Sequence, residues 1–324
     1  MDKTQLYRRT GNADQLFGAR RAQLMEGSAS STQVIEVWTG GGLSLDLLPD
    51  TGLDIGALQY KGVNISYLSK NGLVSSSRTL PYETEFLHTF PGGMLYTCGL
   101  RSVGPANRDQ GEWHPLHGRY HGIPASQVSI RIDDRTISIS GIVTECALFG
   151  HLLKLHRKIN IPTMGASVTV EDTLENLTPR AEEIMLLYHV NFGYPMLSEH
   201  ARLELPERTL ITPRDDNARR GLGNELNFSA PIDNEPEQVF FHALAQPRAR
   251  LVDDSLGISA ELAWDSATLP VFAQWKSMAS GDYVLGLEPS NCFIMGRHAE
   301  RKKQTLQRLE GFSSIQTKLT LTLK

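Results

Sequence analysis

Twelve residues, Gly111-Glu-Trp-His-Pro-Leu-His-Gly-Arg-Tyr-His-Gly122, hold three histidines, an arginine and three glycines. Imidazoles at 114, 117 and 121 could bind a metal ion, move protons or simply pack. Their spacing would place them on one face of a helix, but Pro115, Gly118 and Gly122 predict a loop. The segment has no His-x-His pair, and its only nearby carboxylate is Glu112, so spacing gives a metal centre little support.

Three further constellations carry chemistry. In Leu186-Leu-Tyr-His-Val-Asn-Phe192, alternation along a strand puts His189 and Asn191 on one face, the way a polar pair furnishes a pocket at the end of an apolar strand. In Tyr283-Val-Leu-Gly-Leu-Glu-Pro-Ser-Asn-Cys292, Glu288 is expected to end an apolar strand just before a proline. There desolvation would raise its pKa toward the range of a working base. Asn291 and Arg297 follow. In Gln274-Trp-Lys276, an indole platform stands beside amide and ammonium donors, a composition suited to stacking and hydrogen-bonding a sugar ring. Each also has a plain structural reading: a core histidine, a surface carboxylate, a core tryptophan.

The elements that must position these groups read as strands. Residues 34–38, 43–47, 151–159, 166–175 and 183–192 are rich in β-branched and aromatic residues. Hairpins are predicted at 128–132 with 136–140 and at 248–252 with 257–264, and a last strand at 315–323. Residues 2–24 read as helical with a break at Thr10-Gly11-Asn12, and 198–238 as long polar loops. So many short strands joined by turns indicate an antiparallel sandwich or barrel, an all-β class that excludes Rossmann and P-loop chemistry. The expected domains are an N-terminal helical extension and connector, 1–32, and a β-sandwich, 33–324.

The chain has 324 residues, 40% of them apolar, which suffices for a large core. A net charge of −4 argues against nucleic acid as a partner. Three separated cysteines are expected to be small buried hydrophobes in a reducing compartment, and Arg301-Lys302-Lys303 a solvated turn. No signal-peptide core and no run of eighteen apolar residues occur, so a cytoplasmic protein that does not enter the membrane is expected.

Together the motifs resemble the aldose 1-epimerase (galactose mutarotase-like) superfamily. Leu116-His-Gly118, Tyr188-His189 with Phe192, and a strand-terminal Glu288 carry the likeness. Leu48-Pro-Asp-x-Gly-x-Asp-Ile-Gly56, Pro91-Gly-Gly-x-x-x-Thr-Cys-Gly-Leu100, Leu116-His-Gly-Arg119 and Leu287-Glu-Pro-x-Asn-Cys292 are similar to its bacterial mutarotase-like branch. The resemblance covers the chain from about residue 10 to the end.

It implies a β-supersandwich and an isomerase of carbohydrate metabolism that interconverts sugar anomers by acid–base ring opening. Glu288 would be the base, His189 the acid, and His117 would bind the substrate oxygen. No metal or organic cofactor is implied, and a homodimer is compatible. Pro91 stands where the family places an arginine, which leaves Arg101, Arg119 and Arg297 as substitutes and Asp54 as a candidate for hydroxyl contacts. Arg119, Lys276 and Arg297 would suit an acidic or phosphorylated sugar; Asn191, Gln274, Trp275 and Asn291 complete the expected binding set. The alternatives are a sugar-binding or sensing protein on the same fold, using Trp275, Gln274 and Asn291 without catalysis, and a cupin-like metalloenzyme using His114, His117 and His121.

Overall fold

The computed structural model describes residues 3–324. Among the described residues, three large antiparallel sheets make the body of the molecule, with a two-stranded ribbon of Asn107–Asp109 and Glu112–His114 at the start of the segment expected to be loop. A five-stranded meander runs in chain order through Gly18–Gln23, Gln33–Trp38, Leu43–Leu48, Asp54–Tyr60 and Val63–Asn64. An eight-stranded sheet carries the long Thr136–Cys146, Leu152–Pro162 and Ser167–Asn176 strands beside the C-terminal Ser314–Leu323. A seven-stranded sheet holds Gln238–Leu244, Val271–Ala279, Asp282–Ser290 and Glu182–Phe192 in that order, with Tyr96–Leu100 also paired to the last. The predicted all-β sandwich is what forms.

Burial follows the period of two that strands impose. Thr136–Cys146 alternates half-buried and buried positions along its length, as a sheet with one wet face must. Glu182–Phe192 is instead buried on both faces from Ile184 onward. Its even-numbered residues, Leu186, Tyr188, Val190 and Phe192, enter the main core between the sheets. Its odd-numbered Met185 and Leu187 join a second cluster with Phe86, Phe90 and Tyr96. That second layer roofs the outer face of the seven-stranded sheet, and the candidate site lies in it.

Several local expectations change. The helix covers only Lys3–Tyr7, and Asp2 lies outside the described residues. Residues Gly18–Gln23 are a strand, because pairing along all six residues with Gln33–Trp38 outweighs a weak local helix propensity. The polar stretch 198–238 contains strands Ala201–Glu204 and Arg208–Pro213 and helix Asp216–Arg220. The strand bearing Glu288 does not stop there: it continues to Ser290, with Pro289 opposite Phe272. Cys98 and Cys292 are buried as expected, but Cys146 is exposed. Arg301 sits in helix Arg297–Lys303 and is ion-paired with Asp109 and Glu183, so only Lys302 and Lys303 are solvated.

Candidate active site

Antiparallel register brings the two titratable groups together. Val190 lies opposite Leu287, so the neighbouring His189 and Glu288 project on the same outer face. Their Nε2 and Oε1 atoms are 3.2 Å apart. One strand further, Trp275 lies opposite Gly286. A Cβ on Gly286 would sit 2.9 Å from Glu288 Oε1, 3.0 Å from His189 Cε1 and 3.1 Å from the Trp275 Cβ. The glycine therefore holds open the floor between acid, base and indole.

His117 approaches from the loop. Its backbone is left-handed, φ 59°, and is fixed by its N–H donating to Gly104 O and its carbonyl accepting from Gly99 N. Such a conformation in a non-glycine residue is a constraint that the surroundings must enforce. Gly118 follows at φ +79°, where a Cβ would lie 2.4 Å from Ser102 O. This crowding is the physical content of the Leu-His-Gly signature.

The His117 and His189 rings are 6.1 Å apart, with Phe86 5.1 Å from the first and Phe90 5.7 Å from the second. Both phenylalanines come from the short helical turn at 86–90. Trp275 closes another wall, 5.2 Å from His189. The cavity so enclosed measures about 530 Å³ and is lined by His117, His189 and Glu288 together, within the range of small-ligand sites.

Burial governs the charges. It pushes the Glu288 carboxyl up to about 8, with the Glu237 carboxylate adding to the rise and Arg214 opposing it. It pushes His189 down to about 3, assisted by His117 and opposed by a hydrogen bond to Asn191, and His117 down to about 4. Desolvation disfavours each charged form, up for the acid and down for the bases.

Two groups missed by the sequence reading line the same cavity. Arg214 donates through Nη2 to Glu237 Oε1 at 2.7 Å and through Nε to Asp215 Oδ2 at 2.9 Å. Glu237 Oε2 accepts from the Trp275 indole at 2.8 Å, which orients the platform. Arg214 directly follows strand Arg208–Pro213 and Glu237 directly precedes strand Gln238–Leu244, a placement that the reading of 198–238 as loops could not show.

The remaining candidates fall outside the cavity. Alternation turns Gln274 and Lys276 to the face opposite Trp275. There the Gln274 amide nitrogen donates to Glu225 O, and the Lys276 ammonium donates to the carbonyls of Asn224 and Asn227. Burial lowers Lys276 to about 8 in a separate pocket of about 360 Å³. Asn291 accepts from Leu186 N and donates to Ile184 O, fastening strands together. Arg297 is buried among the carbonyls of Arg101 and Glu183 and the Asp109 carboxylate. Arg119 reaches the carbonyls of Pro81 and Trp113, and Arg101 pairs with Glu112 and Glu182.

Asp54 is completely buried against Arg157 and Thr97, with no route to a sugar hydroxyl. Asn191 lies beneath His189 and supports it. These polar groups sit where they do because buried charges and amides persist only when paired.

The three loop histidines do not converge. His114 is buried 3.9 Å from Glu112, His121 stacks on Tyr96, and only His117 lines the cavity. Among the described residues no group of three or more His, Cys, Asp or Glu side chains is arranged to hold a metal ion. A larger groove, about 710 Å³, runs along the solvent side of the eight-stranded sheet past His156, Lys158, Glu171 and Lys318. Its Lys318 and Glu171 pair with each other and His156 pairs with Glu175. The smaller cavity, with its desolvated acid and bases, is the candidate on chemical grounds.

The family described as Domain of unknown function (DUF4432) matches residues 29–323. No curated protein matches the chain in sequence. Among solved structures, a candidate aldose 1-epimerase from Klebsiella pneumoniae superposes with a TM-score of 0.90 at 25% identity, over 96% of this chain and 86% of that one. A galactose mutarotase-like protein from Clostridium acetobutylicum gives 0.66 at 14% identity over 96% and 99%, and a galactose 1-epimerase from Lactobacillus acidophilus 0.61 at 13% over 95% and 99%. The latter two share the fold.

Proposed function

The chain belongs to the DUF4432 family and has the galactose mutarotase-like sandwich, and from this premise we propose that it interconverts the anomers of an aldose by acid–base ring opening. The observation that carries the proposal is the carboxyl and imidazole of Glu288 and His189, 3.2 Å apart on the floor of an aromatic-walled cavity with His117 on its side.

Mutarotation requires removal of the proton from the anomeric hydroxyl and delivery of one to the ring oxygen. The C1–O1 bond becomes a carbonyl, the C1–O5 electron pair leaves with O5, the aldehyde turns about C1–C2, and the steps reverse on the other face. One acid, one base and a single proton between them suffice, and Glu288 with His189 supply that set. In the order implied by the resemblance, Glu288 is the base and His189 the acid, with His117 placed to polarise the oxygen at the anomeric carbon. Each positioned group is worth on the order of 10² to 10⁴ in rate.

The substrate we favour is a neutral aldose. Arg119, Lys276 and Arg297, which suggested an anionic sugar, lie away from the cavity, and Arg214 is already held by Glu237 and Asp215. Trp275 offers the stacking face.

The test is saturation-transfer NMR across neutral hexoses and pentoses, uronic acids and sugar phosphates. Glu288→Gln and His189→Asn should each remove exchange by at least 10²-fold while the circular dichroism spectrum is unchanged. Binding of sugars without exchange above the buffer rate would instead favour a sugar-binding protein.

A further inference from the structure

The strand pair that walls the active cavity has a second face. Gln238 lies opposite Lys276, and Val239 opposite Trp275. Alternation sends Val239 and Trp275 into the active cavity and Gln238 and Lys276 the other way, where they line the pocket of about 360 Å³. The two hollows stand back to back and share no lining residue.

Lys276 is 7% exposed. Its ammonium has three N–H groups to place. Two donate to the carbonyls of Asn224, at 2.8 Å, and Asn227, at 2.6 Å; the third has no acceptor among the described residues. Nor is the amine ion-paired there: the Glu225 and Glu235 carboxylates act on it only from a distance. Burial brings it down to about 8, so it is still charged at neutral pH. A charge removed from water without a counter-ion is costly, and this one borders open space instead of packed protein.

The rest of the wall says what could complete it. The ammonium stands 5.5 Å from the centre of the Phe228 ring, and Ile232 and Met278 extend the apolar side. Arg220 adds a second positive charge and Ser229 a hydroxyl. Glu235 is the one carboxylate in the described lining. With it and two carbonyl oxygens already near the amine, a dianion meets more repulsion than a monoanion does. The volume lies at the small end of ligand pockets.

We propose that the pocket behind the active cavity is a binding site for a small organic monocarboxylate, its carboxylate on Lys276 Nζ and its short apolar chain against Phe228, Ile232 and Met278. The site is independent of the acid–base reading, in which Lys276 has no part.

Two methionines report on the two hollows separately, since Met278 lines this pocket and Met295 the active cavity. Protein labelled with methyl-¹³C-methionine, with these signals assigned through Met278→Leu and Met295→Leu, is titrated with butyrate, inorganic phosphate and butylammonium at fixed ionic strength. Butyrate should shift the Met278 methyl saturably, with a Kd on the order of 1 mM, and leave Met295 in place; phosphate and butylammonium should not saturate. Saturation at Met295 instead, a phosphate effect equal to that of butyrate, or no saturation by butyrate up to about 50 mM would overturn the proposal. Saturable binding of butylammonium would overturn it too, by making Glu235 and the two carbonyls a cation site.

Lys276→Gln keeps donors for both carbonyls but removes the charge, and should weaken butyrate by about 10-fold or more. Ile232 is 45% exposed, so Ile232→Glu is expected to fold whatever becomes of Lys276→Gln, and its carboxylate in the pocket wall should weaken butyrate similarly. Glu235→Gln should strengthen it severalfold. Butyrate affinity unchanged in Ile232→Glu would put the ligand elsewhere and sink the proposal.

Discussion

Gly286 shows how much of the site depends on an atom that is not there. Its would-be Cβ lies within 3.1 Å of Glu288, His189 and Trp275, and its backbone is ordinary, so alanine brings no conformational strain. Gly286→Ala is expected to fold normally, shift its melting temperature by only a few degrees and lower anomer exchange by on the order of 10²-fold, since a displacement near 1 Å at the reacting groups costs that much. Wild-type exchange in this variant would show that the floor between the three side chains is not where substrate sits. At this scale His117, His189 and Glu288 were legible, because each stands in a short motif whose backbone neighbours are as constrained as the side chain. Arg214 and Glu237 were not: each belongs to a charged stretch that looks like surface, and only the folded sheet shows that both strand ends point at one cavity.

At the scale of elements, Glu182–Phe192 is a strand with two occupations. Its odd face floors the cavity, and its even face bears Tyr188, whose hydroxyl donates to Asp172. Asp172 and Asp54 both pair with Arg157, which is 1% exposed and also donates to Thr97 Oγ1 and Gly52 O. This ionic knot ties strands of the three large sheets together behind the site. Arg157→Leu would leave two carboxylates buried without a cation, and the expected cost is about 3–5 kcal/mol in urea unfolding. A loss under 1 kcal/mol would mean that Asp54 and Asp172 are neutral in the native protein. The strands themselves were readable from their period of two; the pairing of faces was less so. Gln274-Trp-Lys276 looked like one sugar platform because its residues adjoin in sequence, yet a strand sends neighbours to opposite sides. Asp54 looked like a hydroxyl ligand, but only tertiary structure could show Arg157, 103 positions away, facing it.

Across the whole molecule, the desolvated groups set opposing pH slopes. Burial lowers His114 and His117 to about 4 and His121 and His189 to about 3. Depressed folded values mean that the unfolded chain binds more protons, so this contribution is present above about pH 6.5 and is lost as pH falls toward those values. Burial raises Asp54 to about 6, Glu145 to about 7 and Glu288 to about 8. Their contribution has the reverse sign: it is full below about pH 4 and is lost as pH rises through 6, 7 and 8. Below pH 6.5 the four imidazoles outnumber these three carboxyls, and stability should rise with pH. Between about pH 6.5 and 7.5 the unfolded imidazoles are already neutral, the carboxyls still differ between states, and stability should fall; above that range the buried Lys276, lowered to about 8, adds a contribution of the opposite sign. The melting temperature is therefore expected to peak between pH 6 and 7 when scanned from 4.5 to 7.5 in one buffer series at fixed ionic strength. A melting temperature still rising at pH 7.5 would show Glu145 and Glu288 already ionised at neutral pH. Glu288→Gln removes one of the opposing slopes: it should flatten the alkaline side and steepen the rise on the acid side, which the histidines drive.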